Sequence, residues 1–306
     1  MTALCISSDP DVPGVVRISS RSTFPRPRIG VIGALHGDER CGLSALLRLR
    51  EAAERGELPL LEGTLVLIHG NPEATEAGER HTAEGDDLNR LFDFHFEDIL
   101  PLRQWTSEHH RAVALRPVLR SLDAALDLHS ASIPTTPFAI AMPDHRSLEL
   151  ARHLGLEYVT TRWDGAGLGE KVALAILVDG GKPGVAVECG HHDEAEAERR
   201  AHAFALRFLV AAGLLEGEVE RGSPRLLEVV SALRKPSAGF RFDRPIRGMD
   251  PLEAGEVIGR DGDALVRVDR DCFALLPNDS VAEGKPMLFV ASPAEPGQSA
   301  DALISG

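Results

Sequence analysis

Between residues 28 and 215, short apolar runs alternate with longer amphipathic stretches, a pattern that few architectures accept. Strand-length runs separated by helix-length ones call for crossover connections, and hence for a mainly parallel sheet flanked by helices: an α/β fold. The apolar runs predict strands at 29–35, 64–69, 124–129, 138–141 and 185–188. The amphipathic runs predict helices at 41–55, 102–122, 147–154 and 194–212, the last opening on acidic residues that suit a helix N-terminus. After Gly222 the texture shifts to short β-like runs broken by Gly, Pro and Asp. The expected organisation is therefore an α/β domain over 1–222 and a small C-terminal all-β module over 223–306, joined through 217–224, with a mobile tail from about Ser292.

Charge excludes one class of partner. The 306 residues carry a formal net charge of −14, which opposes approach to a phosphate backbone, so nucleic acid is not expected as a partner. No apolar run reaches the roughly 20 residues needed to span a bilayer, and the N-terminus has neither the basic nor the apolar region of a signal peptide. The four cysteines, Cys5, Cys41, Cys189 and Cys272, are scattered without a CxxC, which fits a reducing cytoplasm. Homo-oligomer formation is left open.

Four short segments could carry chemistry. In GALHGDE, His36 and Glu39 follow a predicted strand and open a predicted helix, and residues three apart in a helical turn share a face, so both could reach one metal ion. His81/Glu84 and His191/Glu194 repeat the spacing, but only His36 follows a buried-looking strand through a Gly-flanked turn, where α/β folds place their sites. In DLHSA, Asp127 and His129 point the same way from one strand. His36, Glu39 and His129 together would make a His₂Glu site with an open fourth position, the catalytic form of zinc coordination; Asp127 is either its supporting partner or an ordinary strand-end acid. In DLNRLF, Asn89 and Arg90 offer several donors for a carboxylate or oxyanion, unless Arg90 simply pairs with Asp86 or Asp87. In VECG, Glu188 ends an apolar strand, where a carboxylate is rarely buried without a purpose; beside an activated water it could take a proton and return it to a leaving amine.

These segments in this order, with GNPEA at 70–74 and ALLPND…VAEGKP in the C-terminal module, resemble the succinylglutamate desuccinylase/aspartoacylase family of zinc-carboxypeptidase-like hydrolases. The resemblance implies one zinc per chain held by His36, Glu39 and His129, Glu188 as general base and acid, Asn89 with Arg90 on a substrate carboxylate, and Arg80 polarising the scissile carbonyl. It implies a deacylase acting on the amide bond of a small N-acyl amino acid or related amine; the alternatives are a carboxypeptidase or amidase on short peptides, or a catalytically silent binding protein. Arg80 lies farther upstream of DLNR than the family pattern has it. The family's Arg shortly before the catalytic Glu and its C-terminal Tyr are missing: the nearest upstream Arg is Arg162 and the one tyrosine is Tyr158. Substrates with one free carboxylate, acetylated diamino acids among them, are therefore expected to be cleaved better than N-acetylaspartate or N-succinylglutamate. Three other features are set aside: 165–171 (GAGLGEK), which lacks a phosphate loop's Gly-Lys-Ser/Thr ending and reads as a turn or lid; the His191–His192 pair; and the Cys189 thiol, which has no relay of its own.

Overall fold

The computed structural model describes residues 4–20, 24–93, 96–163 and 172–294; the 165–171 segment lies outside them. In chain order the elements are β1 (Cys5–Ser8), β2 (Val15–Ser19), β3 (Arg28–Gly33), α1 (Arg40–Glu54), β4 (Thr64–His69), α2 (Pro72–Ala77), α3 (Phe96–Ile99), α4 (Ser107–Ser121), β5 (Ala124–Ala131), β6 (Phe138–Ala141), α5 (His145–Arg152), β7 (Tyr158–Thr161), α6 (Ala175–Asp179), β8 (Gly184–His191) and α7 (Ala195–Ala211). Seven strands follow: β9 (Arg225–Arg234), β10 (Arg241–Phe242), β11 (Pro251–Leu252), β12 (Val257–Asp261), β13 (Ala264–Arg267), β14 (Cys272–Leu275) and β15 (Pro286–Pro293).

Twelve strands form one mixed sheet in the order β1-β2-β4-β3-β5-β8-β6-β7-β9-β15-β14-β11, and β10, β12 and β13 form a small antiparallel sheet. The run β4-β3-β5-β8 is parallel throughout. Because β9 pairs with β7 in parallel, the sheet continues past residue 222 into the all-β C-terminal region. Among the described residues no helix is long and apolar enough to cross a membrane.

Alternation within the central strands decides where the site lies. Leu126 and Leu128 of β5, with Val185, Val187 and Cys189 of β8, enter a core cluster with α1 and α7 residues such as Leu49 and Phe208. Their neighbours face the other way, toward the side where α4 and α6 pack, and there Asp127, His129 and Glu188 replace apolar residues at the strands' C-terminal ends. The start of α1 can lie against β3 and β5 because Gly33 and Gly42 meet: a Cβ on Gly33 would stand 2.5 Å from the Gly42 carbonyl carbon.

Two expectations need correction. The predicted helix 102–122 divides into a 3₁₀ turn, Leu102–Gln104, and α4, because Trp105 and Thr106 are extended and the Thr106 N–H donates to His109 Nδ1 at 3.2 Å, capping a new helix. His36 and Glu39 precede α1 rather than sharing its first turn; a tight turn closed by Glu39 N–H to His36 O at 3.2 Å joins them. Ser292 and Pro293 are strand, paired with Glu228 and Leu227, and the rest of the expected tail, 295–306, lies outside the described residues.

Candidate metal centre and its cavity

The apolar β3 delivers the chain into the segment holding His36, whose backbone is pinned to its neighbours by Gly37 N–H to Arg80 O at 3.2 Å and Asn71 N–H to Ala34 O at 2.8 Å. Gly37 is obligatory there, since a Cβ would stand 2.2 Å from the Ala74 carbonyl carbon. Glu39 occupies the N-cap position of α1 yet caps nothing with its side chain. Its carboxylate instead turns inward, where His36 Nδ1 lies 2.7 Å from Oε1 and His129 Nδ1 2.8 Å from Oε2. All three side chains are buried, with one donor atom from each within 4.8 Å of the others, and they are the one such His/Cys/Asp/Glu group among the described residues.

Each imidazole is oriented from behind. His129 Nε2 lies 2.9 Å from Asp127 Oδ2, and His36 Nε2 lies 2.9 Å from Asp87 Oδ1. A carboxylate accepting Nε2–H leaves the Nδ1 lone pair pointing at the centre, the arrangement that tunes metal-ligating histidines. Burial opposes charge on His129, but Asp127 and Glu39 more than offset it and hold the imidazole well above its ordinary pKa. His36 is likewise raised against the pull of burial, by Glu39 and Asp87. Burial favours a neutral Glu39, yet the two imidazoles hold its carboxyl well below the usual range. A buried carboxylate between two Nδ1 atoms calls for positive charge at its centre, and a divalent ion taking N, N and O donors fits that donor set.

Asp87 was missed as a site residue. Its carboxylate also accepts from Asn89 N–H at 3.0 Å, capping the 3₁₀ turn Leu88–Arg90, and from Arg80 Nη2 at 2.9 Å. Burial works against its charge, but His36, Arg80 and Arg90 hold the carboxyl far below the usual range. Its capping position before LNR was the available signal; its bond to His36 spans 51 residues and left no local trace.

One cavity of about 570 Å³ brings together His36, Glu39, His129, Arg80, Asn89, Arg90 and Glu188. Glu188 stands opposite His129 across the β5–β8 pairing, and among the described residues its buried Oε2 has no hydrogen-bond partner. Burial, with the Glu39 charge behind it, pushes its pKa up to about 7. Arg80 also approaches Glu39 Oε1 at 3.4 Å. Arg90 is half-buried and, among the described residues, makes no direct ion pair with a carboxylate, although it lies close enough to Asp87 for their charges to interact; one Nη donates to Asn89 O at 2.7 Å. Asn89 Oδ1 accepts from Ala173 N–H at 2.8 Å.

The remaining candidates lie apart or play other parts. His81 turns to Thr82 O at 2.9 Å, and His191 is outside the cluster. His192 does reach the cavity, with Nδ1 2.8 Å from Ser130 Oγ. Arg162 faces a second cavity and approaches Glu228 at 3.8 Å. Burial pushes the Cys189 thiol well above its ordinary pKa, which denies it a thiolate.

Residues 25–211 match the family model of the succinylglutamate desuccinylase/aspartoacylase catalytic domain. A search among curated proteins finds no match. Solved structures share the fold. A succinylglutamate desuccinylase from Vibrio parahaemolyticus superposes with a TM-score of 0.72 at 20% identity, covering 96% of this chain and 92% of that one. The product-bound ectoine utilization protein EutE (DoeB) from Ruegeria pomeroyi gives 0.70 at 20% identity, covering 95% and 99%. An aspartoacylase family protein from Mesorhizobium loti gives 0.66 at 20% identity, covering 97% and 100%.

Proposed function

The chain belongs to the succinylglutamate desuccinylase/aspartoacylase family, and from that premise we propose that it is a zinc-dependent deacylase cleaving the amide of a small N-acyl amino acid with one free carboxylate. The observation that carries this reading is Glu188, a buried carboxylate with an oxygen that has no partner among the described residues, in the same cavity as the His36/Glu39/His129 cluster. A zinc ion bound there would supply Lewis acidity toward water and the amide carbonyl.

The protein's own groups do the rest. Glu188, with a pKa near neutrality, takes the proton of the attacking water and returns it to the amine nitrogen as the C–N bond breaks, so amide plus water gives carboxylic acid plus amine. Arg80, at the cavity edge with Asp87 and Glu39 fixing its guanidinium, is placed to stabilise the oxyanion. Arg90 and the Asn89 amide receive the substrate carboxylate: a half-buried guanidinium without an ion pair among the described residues is a ready anion site. The cavity volume supports a single N-acylated amino acid rather than a peptide. Four free thiols suit a cytoplasmic setting.

The test is amine release from N-acetyl, N-formyl and N-succinyl amino acids and diamines by zinc-loaded protein, with Glu188→Gln in parallel. The substitution keeps size and hydrogen bonding but removes the base, so turnover should fall by about 10²–10⁴-fold while the metal stays bound. Undiminished turnover by metal-replete Glu188→Gln would refute the assignment.

A further inference from the structure

One stretch of the cavity wall, beyond the metal ligands and the carboxylate anchor, is carbon. Ile140 of β6, Met142, Trp163, Val172, Leu174 and Phe289 of β15 line it, drawn from two of the molecule's core clusters. Ile140 stands opposite Ala186 in the β6–β8 pairing, two residues along the strand from Glu188, so this surface adjoins the reacting centre. Trp163 spends its one polar atom elsewhere: the indole N–H donates to Thr160 Oγ1 at 2.9 Å, and the ring packs on Phe289 with centroids 5.1 Å apart. What the pair shows the cavity is aromatic carbon.

The wall is tied to the carboxylate anchor. Ala173, whose N–H donates to Asn89 Oδ1, sits between Val172 and Leu174, so both of those side chains are carried to the cavity by the residue next to Arg90. In an α-amino acid the side chain leaves the carbon that bears the carboxylate. A carboxylate held at Arg90 and Asn89 therefore directs the neighbouring side chain along Val172 and Leu174 toward Ile140 and Trp163. Charge points the same way. Among the described residues the guanidinium groups lining the cavity are Arg80 and Arg90; the first is taken by Asp87 and Glu39, and the second is the anchor itself. Asp38, Ser130, Ser132, His192 and Asn278 also line the cavity, but on the apolar stretch itself a second carboxylate, or the ammonium of a diamino acid, would meet carbon, which is unfavourable.

We propose that this wall is a specificity pocket for the amine half of the substrate, selecting N-acyl α-amino acids with a bulky apolar side chain, of the leucine, methionine or phenylalanine kind, over acidic or cationic ones. The proposal rests on the deacylase reading above and fixes its substrate class.

The experiment is titration calorimetry of zinc-loaded Glu188→Gln with N-acetylleucine, N-acetylphenylalanine, N-acetylalanine and N-acetylaspartate, beside amine release by the wild type. N-acetylleucine should bind at least about tenfold more tightly than N-acetylalanine or N-acetylaspartate, within the range that a few methylenes give in an apolar pocket. Ile140→Ala should reduce the leucine-to-alanine ratio several-fold. Should Glu188→Gln not fold, inhibition of the wild type by free leucine against free aspartate reads the same order. N-acetylaspartate binding as tightly as N-acetylleucine, a ratio unmoved by Ile140→Ala, or no binding of any of the four would overturn the proposal. The deacylase reading falls separately, if no member of the panel releases amine; the binding order then still decides the side-chain class.

Discussion

Replacing Asp87 by alanine removes three contacts at once: the acceptor 2.9 Å from His36 Nε2, the acceptor 2.9 Å from Arg80 Nη2, and the 3.0 Å cap on Asn89 N–H. The first keeps His36 in the tautomer that offers Nδ1 to the metal, and loss of such a partner weakens metal binding by about 10–100-fold, or about 1.4–2.7 kcal/mol. Contribution from the Arg80 pair is smaller, because that side chain is 42% exposed and can turn to water. The metal term therefore dominates. Asp87→Asn keeps an acceptor without the charge and should fall between alanine and wild type. Since His36 and Arg80 outweigh burial and hold the Asp87 carboxyl far below the usual range, it is ionised throughout pH 5–8. The assay is competition for zinc with a chromophoric chelator, with Asp86→Ala as control and a thermal melt to check folding. Zinc affinity in folded Asp87→Ala within about twofold of wild type would show that Asp87 does not position His36.

Arg90→Ala should lower kcat/KM for N-acyl amino acids by about 10–150-fold, the worth of a charged hydrogen bond, and leave the corresponding neutral carboxamides little changed; equal loss on both would refute a carboxylate anchor. Gly37→Ala forces a Cβ against the Ala74 backbone and should cost about 1–3 kcal/mol in denaturant unfolding, so an unchanged midpoint would contradict the packing. His69 titrates at about 4, lowered by burial and by Arg111, so the folded state disfavours its protonation. The stability this confers is complete above the ordinary histidine pKa of about 6.5 and is lost as pH falls toward 4. His69→Gln should flatten the melting-temperature profile in that window, and an identical slope would refute the assignment.

Local pattern made the central strands legible. β5 reads AALDLHSA because its leucines face one core while Asp127 and His129 take the other face, and β8 repeats the device with Glu188. The His36/Glu39 pair was legible as residues close in sequence, although a turn before α1, not a helical face, joins them. What escaped was set by distance or by shortness. Asp87 reaches His36 across 51 residues, and nothing in DLNRLF announces that bond. β1, CISS, is too short and polar to stand out, and it is placed by pairing with β2. The apolar cavity wall combines β6, the segment around Trp163 and Leu174, and β15, a convergence that only the folded sheet order creates.

Metal content tests the account most directly. After zinc loading and gel filtration, elemental analysis should give one ion per chain in the wild type and in His81→Ala and His191→Ala, and none in His36→Ala or His129→Ala, with circular dichroism confirming that each variant is folded. Full occupancy in folded His36→Ala or His129→Ala would contradict a centre built from these imidazoles and Glu39.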